Sequence, residues 1–539
     1  MPLMGSFYVG NSGLQTSQNA LNTTAHNITN ADTKGYVRQQ ALIGDKGYNT
    51  ISLNLAGVSS RQTGLGVTYQ EVRQVRDVFL DNTYREENGR LSFYSTEYDA
   101  ISEVENLLGE MDGASFEGSI NDLWVSVQEL SKDPSSSVVQ GLFMQRAYAF
   151  VNDAQAVYQG LCNYQDNVNL EIKNTVDKIN EIGHKIWDMN EQIRKIENGG
   201  MEHANDLKDQ RNELLDELSA YASIEYSNDS MGNVMVKLEG HSFVNATRVN
   251  EIGAQIEETT GFYDVFWKDA ATRVADVNGY EHYITDNAML FDKEQEISST
   301  LDTDIGKLKA LVITRGDHRA NFTDCEGDAY DKISSSIVMT VQSEFDKLIH
   351  SVVNAINGTL KEAFDNGDGN YMSDGNGNAL QVFHRKVSDP AVAEDWTKTE
   401  TLFSVSNLVM NEELMQTPSK LSFVKPDGQV DYATADKLKN VFEDMDYTLN
   451  PTANTKLNIK SFYAALVSQV ANDGSVIKNV RDNEQLTVDS TESARQQIIG
   501  VSTDEELNNM IKFQNAYNAN SRYINVINEM LEHLLTSLA

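Results

Sequence analysis

The residues of this sequence whose types and spacing are most suited to ligand binding lie in two loops rich in Asp, Asn and Gly between 365 and 378. Oxygen ligands at alternate positions of such a loop bind Ca²⁺ in helix–loop–helix sites. Counting from Asp374, Asn376 and Asn378 occupy the third and fifth positions, but the sixth, which requires glycine, is Ala379. The loops therefore predict ordinary turns, with weak calcium binding as a second interpretation.

Other groups that could carry chemistry are scattered along the chain. His318 lies among charged neighbours at 315–319, which is more typical of a solvated loop than of a site. Cys162 and Cys325 belong to no CxxC pair, and the sequence leaves open whether they meet. The nine histidines have no metal-ligand spacing, and HExxH, GxSxG and P-loop motifs are absent. We therefore predict no catalytic residue, no cofactor and no metal, and a protein that is not an enzyme.

Composition narrows the class of protein further. A chain of 539 residues, 40% of them hydrophobic, is long enough for several domains with buried cores. With 43 Lys and Arg against 80 Asp and Glu, its net charge of -37 argues against nucleic acid and anionic membranes as partners. The start has no cleavable signal peptide pattern, and no run is apolar enough to span a membrane. By these rules alone the protein looks cytoplasmic.

The two ends of the chain repeat one apolar residue every seven positions in otherwise polar segments. Such a narrow stripe cannot bury itself and needs a partner helix. Both ends therefore predict coiled-coil helices through which subunits polymerise. The predicted assembly interface consists of Phe7, Leu14, Leu21, Ile28, Met510, Phe513, Tyr517, Ile524, Ile527, Leu531, Leu534 and Leu538.

The elements between the ends are predicted from periodicity and turn residues. Ser502 begins the last helix, with Glu505 three residues later as in a capping box. Helical pattern is expected at 3–28, 76–220, 326–362 and from 446 to the C-terminus, with a hairpin of two helices around Asn198-Gly199-Gly200. Extended or mixed structure is expected at 41–75, 222–300 and 380–445.

The predicted fold class is mainly α with β-rich insertions, as an elongated multi-domain subunit with terminal coiled-coil helices and a long helical bundle. Four domains are expected. They are a terminal coiled-coil domain (1–60 with 490–539), a helical bundle (61–221 with 301–364 and 446–489), an inserted β-rich domain (222–300) and an inserted mixed domain (365–445).

Several segments resemble known sequences. The run from Ala20 to Arg38 resembles the opening shared by bacterial flagellar axial proteins of the rod, hook and junction. Residues 63–80 resemble the next block of these proteins, except that Gln74 holds the usual arginine position. Segments 205–219 and 500–517 are similar to the FlgK family of hook–filament junction proteins.

This resemblance implies a structural subunit that joins hook to filament and assembles in a ring through its terminal helices. The implied partners are the hook protein, a second junction protein and through it the filament, the flagellar export apparatus, and a cytoplasmic export chaperone at the C-terminal helix. It also replaces the cytoplasmic interpretation, since these proteins are exported without a cleaved signal and act outside the cell.

Two alternatives stay open at this point. One is a hook or filament subunit. The other is an acidic surface-binding protein whose insertions bind a ligand or perform hydrolysis. We also expect the terminal segments to be largely unstructured in the free monomer, because each stripe lacks a partner before assembly. The subunit number and the role of the insertions do not follow from the sequence.

Overall fold

The computed structural model describes residues 3–47, 49–53, 60–109, 116–199, 203–229, 232–275, 281–285, 287–292, 295–367, 371–374, 376–387 and 392–538. Contacts group the chain into two compact units. The first unit comprises residues 1–89, 178–251 and 484–539, and the second comprises 90–177 and 252–483.

Helices dominate the described residues. The helices are α1 (Leu3–Thr29), α2 (Val78–Leu108), α3 (Phe116–Lys132), α4 (Ser137–Glu197), α5 (Asn205–Tyr221), α6 (Lys307–Arg315), α7 (Asp328–Ile333), α8 (Ile337–Asp365), α9 (Glu412–Gln416), α10 (Tyr432–Glu443), α11 (Ile459–Ile499) and α12 (Thr503–Leu538). The longest, α4, has 61 residues and no proline. Because proline removes a helical hydrogen bond, a scarcity of proline permits helices of this length.

The strands are short and most of them pair with the next strand in sequence, whereas β1 pairs with β4. The strands are β1 (Gln39–Asp45), β2 (Asn49–Leu53), β3 (Ser60–Thr63), β4 (Val67–Gln74), β5 (Ile224–Asn228), β6 (Val234–Leu238), β7 (His241–Val244), β8 (Ile252–Ile256), β9 (Tyr263–Trp267), β10 (Thr272–Ala275), β11 (Glu281–Ile284), β12 (Phe383–Arg385) and β13 (Leu408–Met410). All the sheets they form are antiparallel: β1–β4, β2–β3, β5–β6–β7, β8–β9, β10–β11 and β12–β13.

The second unit is organised around a large apolar core. The ring of Phe116 contacts the rings of Phe150, Phe345 and Tyr463, so α3, α4, α8 and α11 meet there. The Tyr463 hydroxyl donates to the carbonyl of Leu108 at 2.6 Å, which satisfies a buried polar group at the end of α2. Burial of large side chains such as these stabilises a fold by about 1.5–3 kcal/mol each.

The first unit contains the predicted helical hairpin and a three-stranded sheet. Along α4, Ile179, Ile182 and Ile186 are fully buried, as their heptad spacing predicts. On α5 the buried apolar residues are Leu215 and Leu218. The buried face of α5 also includes the polar residues Asn205, Asp209, Arg211 and Ser219.

The predicted fold class is confirmed: the described chain is mainly helical, with small antiparallel sheets between 222 and 300 and further strands in the insertion beyond 365. The predicted helix at 326–362 is interrupted, because Ser336 caps a new helix through its side chain at the Met339 N–H. The division into four domains stays a prediction beside the two compact units.

Candidate assembly site: the paired terminal helices

The two ends of the chain pair with one another in the first unit. α1 packs against α12. Gly10 of α1 lies against Ile524, Gly13 lies against Asn520, and Asn27 lies against Glu506. The numbers rise along one helix and fall along the other, so the pair is antiparallel. The partner that each terminal stripe requires is thus available within the same chain.

The face of α1 that is buried consists of small and polar residues. Gly10, Gly13, Ser17, Ala20, Thr24 and Asn27 are buried at alternating spacings of three and four residues. This spacing defines a coiled-coil seam. A Cβ atom on Gly10 would lie 2.9 Å from Ile524 Cγ1. The two backbones therefore approach closely, with larger side chains of α12 against small ones of α1.

The predicted interface residues occupy two kinds of position. On α12, Ile527 is buried, and Met510, Phe513, Tyr517, Ile524 and Leu531 are partly buried at the spacing of the seam. On α1, the row of Phe7, Leu14, Leu21 and Ile28 is partly buried and borders the seam of small residues. Leu534 is exposed, and the side chain of Leu538 lies outside the described residues. Contact of these residues with another subunit stays a prediction.

A second apolar row on α12 remains open to solvent. Tyr523, Val526, Met530 and Leu534 follow one another at spacings of three, four and four, and each is 42–54% exposed. This spacing places them on one face of the helix. We call this set the outer row. Three of its members are missing from the predicted interface, although their helical spacing would have identified them.

A polar cluster joins the end of α1 to the following turn. The Asn27 Oδ1 atom accepts from the Tyr36 hydroxyl at 2.8 Å and from the Gln39 N–H at 3.0 Å. The Asn27 Nδ2 group donates to the Gln39 carbonyl at 2.8 Å and to Glu506 Oε2 at 3.1 Å. All four hydrogen-bonding positions of this buried amide are satisfied.

Arg38 connects the same turn to the beginning of α12. Its guanidinium lies 3.0 Å from Glu506 Oε1 and 3.3 Å from Glu505 Oε2. The backbone N–H of Arg38 donates to the carbonyl of Ile499, at the end of α11. Glu506 is only 3% exposed, so the arginine supplies the countercharge that a buried carboxylate requires.

Asp209 of α5 holds the turn from the other side. Its carboxylate accepts from the Val37 N–H at 3.2 Å and from Gln74 Nε2 at 2.7 Å. Burial raises the pKa of Asp209 to about 7, although the Val37 hydrogen bond and the positive charge of Arg76 act in the opposite direction. Burial and the charge of Asp209 also raise the pKa of Tyr36.

Gln74, at the position where the resemblance leads one to expect arginine, connects Asp209 to the carbonyl of Asn205 through its amide. The neighbouring Arg76 binds both oxygens of Asp81 at 2.9 Å.

The end of α11 is held by ion pairs within the first unit. Asp216 accepts from Arg85 Nε at 2.7 Å and from Arg495 Nη1 at 2.8 Å. Arg495 lies over the Tyr84 ring and Arg85 over the Tyr226 ring, at 4.2 and 4.4 Å from the ring centres. Cation–π contacts add to the ion pairs. A cleft of about 770 Å³ opens beside this network, lined by the turn at 31–37, α5 and the end of α11.

The other candidate residues have structural partners in the second unit. His318 lies 2.6 Å from Asp317 and 3.3 Å from Asp324, and these hydrogen bonds raise its pKa to about 10. Asp374 accepts from the N–H groups of Asn376 and Asn378, which forms an ordinary turn. Within the expected calcium loops, residues 368–370 and Gly375 lie outside the described residues.

The described residues show no arrangement typical of a metal site, a disulfide bond or a membrane span. Among these residues, no group of three His, Cys, Asp or Glu side chains is arranged to hold a metal ion. Cys162 and Cys325 are buried free thiols. No described helix combines the length and apolar character needed to cross a bilayer.

Models of known flagellar protein families match the middle of the chain and both of its terminal segments. Residues 101–374 match the model of the flagellar hook-associated protein FlgK helical domain. The chain belongs to the FlgK family of flagellar hook-associated proteins. Residues 7–36 match the flagella basal body rod protein model, and 496–537 match the flagellar basal body rod FlgEFG protein C-terminal model. The paired helices thus lie in the segments that this FlgK-family chain shares with rod proteins.

Relatives match over nearly the whole chain. Flagellar hook-associated protein 1 of Bacillus subtilis is 26% identical over 97% of this chain and 96% of its own length. The protein of the same name from Salmonella typhimurium is 24% identical over 97% and 98%. The structure of the flagellar hook junction protein FlgK from Burkholderia pseudomallei has the same fold, with a TM-score of 0.54, 12% identity and coverage of 78% of this chain and 100% of its own. The protein is therefore a structural component of the bacterial flagellum.

Proposed function

We propose that this protein joins the flagellar hook to the filament and assembles into a ring through α1 and α12. Membership of the FlgK family supports this proposal, as does similarity along almost the whole length to proteins named flagellar hook-associated protein 1.

The observation that carries the assembly mechanism is the outer row of α12. The seam of α12 already packs on α1, whereas Tyr523, Val526, Met530 and Leu534 remain about half exposed. Burying a large apolar side chain contributes about 1.5–3 kcal/mol, so covering this row favours association. We infer that α1 of a neighbouring copy covers it with the row of Phe7, Leu14, Leu21 and Ile28. α1 contains no Asp, Glu, Lys or Arg, so no charged group would be desolvated on that side.

The remaining partners follow from the family resemblance. They are the hook protein on one side and a second junction protein, and through it the filament, on the other. Before assembly, the flagellar export apparatus and a cytoplasmic chaperone bound to α12 would handle the chain. The site of action would be outside the cell, at the end of the hook, after export without a cleaved signal.

Deletion of this chain from its host tests the junction role. We expect bare hooks by electron microscopy, no filaments, and free flagellin in the medium by immunoblot. Normal filaments and swimming would reject the role. Thousands of copies along the hook or filament shaft would instead indicate a hook or filament subunit.

A substitution in the outer row tests the assembly mechanism. Val526→Asp places a charge among uncovered apolar residues that become buried on docking, where an unpaired charge is costly. We expect export with loss of incorporation and of swimming. Asn518→Asp adds the same charge to α12 at an exposed position outside the row and is expected to assemble normally. Normal assembly of Val526→Asp would refute the role of the outer row.

A further inference from the structure

The pattern of large against small residues in the seam between α1 and α12 repeats every seven residues, so this pattern alone discriminates only weakly between alignments that differ by seven residues. The large residues of α12 repeat every seven positions, as Met510, Tyr517, Ile524 and Leu531. The side chains that α1 presents to them are small, from Gly10 to Thr24. A slip by seven residues would again place large residues of α12 against small residues of α1, with Ile524 moving from Gly10 towards Ser17 and Asn520 moving from Gly13 towards Ala20. Repeats of this kind are known to require a polar residue to fix their register.

The length of α12 permits such a slip in one direction. Gly10 lies against Ile524, and α12 continues to Leu538. The last turns of α12 thus extend beyond the start of α1 and could supply new partners for its first residues after the slip. In the slipped alignment Gly13 would face Ile527 in place of Asn520. The outer row would then be displaced along α1 by two helical turns.

The polar cluster at the other end of the pair discriminates between these alignments. The described hydrogen bond from the α1 seam to α12 runs from Asn27 to Glu506, and Arg38 binds the same carboxylate. After the slip, Asn27 would face Phe513, which has no acceptor for its Nδ2 group. Glu506 would lose both partners while remaining beside the turn. An unmade bond to a buried amide and an unpaired buried carboxylate are both strongly unfavourable.

We propose that Asn27, Arg38 and Glu506 form a register lock that selects one alignment of the terminal helices. The lock contributes specificity in addition to stability. Its consequence for the flagellum rests on the proposed function. A neighbouring copy can cover the outer row of α12 with its row of α1 only if the two rows have one particular axial offset, and only one register of the terminal helices gives that offset.

Disulfide trapping in the full-length chain tests the lock. Cysteines at Gly13 and Asn520 report the observed register, and cysteines at Gly13 and Ile527 report the slipped one. In a glutathione redox buffer, the equilibrium yields of the two disulfides report the relative populations of the two registers. This holds even if α1 and α12 are paired in only a minority of the molecules. Peptide mapping separates these bonds from the native Cys162 and Cys325.

The decisive variant is the double substitution Asn27→Leu with Glu506→Leu, which keeps the seam apolar. We expect the ratio of slipped to observed cross-link to rise at least about tenfold, which corresponds to about 1.4 kcal/mol of lost discrimination. Asn518→Leu with Glu529→Leu is the matched control, because it makes the same two chemical changes at exposed positions of α12 outside the cluster. It is expected to retain the single register of the unmodified chain.

Each result has a definite meaning. An unchanged ratio in the double variant would overturn the lock. Loss of both cross-links would also overturn it, since the cluster would then be needed for pairing itself. A mixed register with normal ring assembly would uphold the lock and refute docking through the outer row. A mixed register with lost assembly would support both.

Discussion

At the scale of single residues, the polar groups that matter most here lie at positions where the helical pattern calls for apolar ones. Glu344 of α8 is three residues after Val341 and four before Leu348, and both of these residues are buried in the core. The spacing alone could have placed Glu344 inside the second unit. Its partners could not be predicted, since Tyr330 belongs to the preceding helix and Asn450 and Gln469 lie more than 100 residues further along the chain.

The environment of Glu344 makes the second unit sensitive to pH. Its side chain is fully buried and its described hydrogen-bond partners are neutral donors, so burial raises its pKa from 4.5 to about 7. The unfolded chain loses this proton near pH 4.5, whereas the folded chain keeps it to about pH 7. The favourable contribution is therefore complete below pH 4.5 and is lost as the pH rises to about 7.

The variant Glu344→Gln removes this titration. Relative to the variant, the free energy of unfolding of the unmodified chain should fall by about 1.4 kcal/mol per pH unit between pH 5 and 7. Urea unfolding at several pH values measures this difference. Glu413→Gln, at a half-exposed position, provides the control and should follow the unmodified chain. Parallel curves for the unmodified chain and Glu344→Gln would contradict the assignment.

At the scale of helices and strands, element type was predictable and the exact faces were less so. The heptad of α12 was predictable because large apolar residues mark it. The seam of α1 was missed because its members are Gly, Ser, Ala and Thr, which periodicity analysis scores as polar or neutral. Small residues at this spacing permit close approach of two backbones. They can be recognised as a buried face only when the helix that packs against them is known.

The close approach predicts opposite outcomes for two glycines of α1. Gly10→Leu would place its side chain against Ile524 and Tyr523, and overpacking of this kind costs about 1–3 kcal/mol. A Cβ atom on Gly5 would meet nothing within 4 Å, so Gly5→Leu should gain helix propensity without a clash at the backbone. We expect Gly10→Leu to lose incorporation into flagella and swimming, and Gly5→Leu to retain both. Equal behaviour of the two variants would argue against a tight seam.

At the scale of the whole molecule, the distribution of buried apolar residues separates the two units. The second unit has a continuous core with many large buried side chains, including Phe116, Phe150, Phe345 and Tyr463. In the α1–α12 pair, the nearly fully buried apolar side chains among the described residues are Ala20 and Ile527. The sequence predicted this contrast from its narrow terminal stripes. It could not predict how the insertions group with the bundle, because that grouping depends on contacts distant in sequence.

This contrast predicts that a dilute monomer is ordered only in part. Helices with so little buried apolar surface do not repay the entropy of ordering, so α1 and α12 should be largely unstructured before neighbouring copies cover them. Limited proteolysis and hydrogen exchange of the purified chain should show rapid cleavage and exchange at both ends, with protection of the second unit. Helical, protease-resistant ends in the dilute monomer would contradict this.

The variant Leu531→Asp separates the two parts of the molecule. A carboxylate at this position of the seam would lie beside apolar residues of α12 and should prevent incorporation into flagella, because burying an unpaired charge on docking is costly. The melting transition of the second unit should remain that of the unmodified chain, since residue 531 belongs to the first unit. Calorimetry and a motility assay on the same variant provide both readings. A lowered transition with lost motility would indicate general destabilisation, and an unchanged transition with normal motility would show that assembly does not depend on this seam.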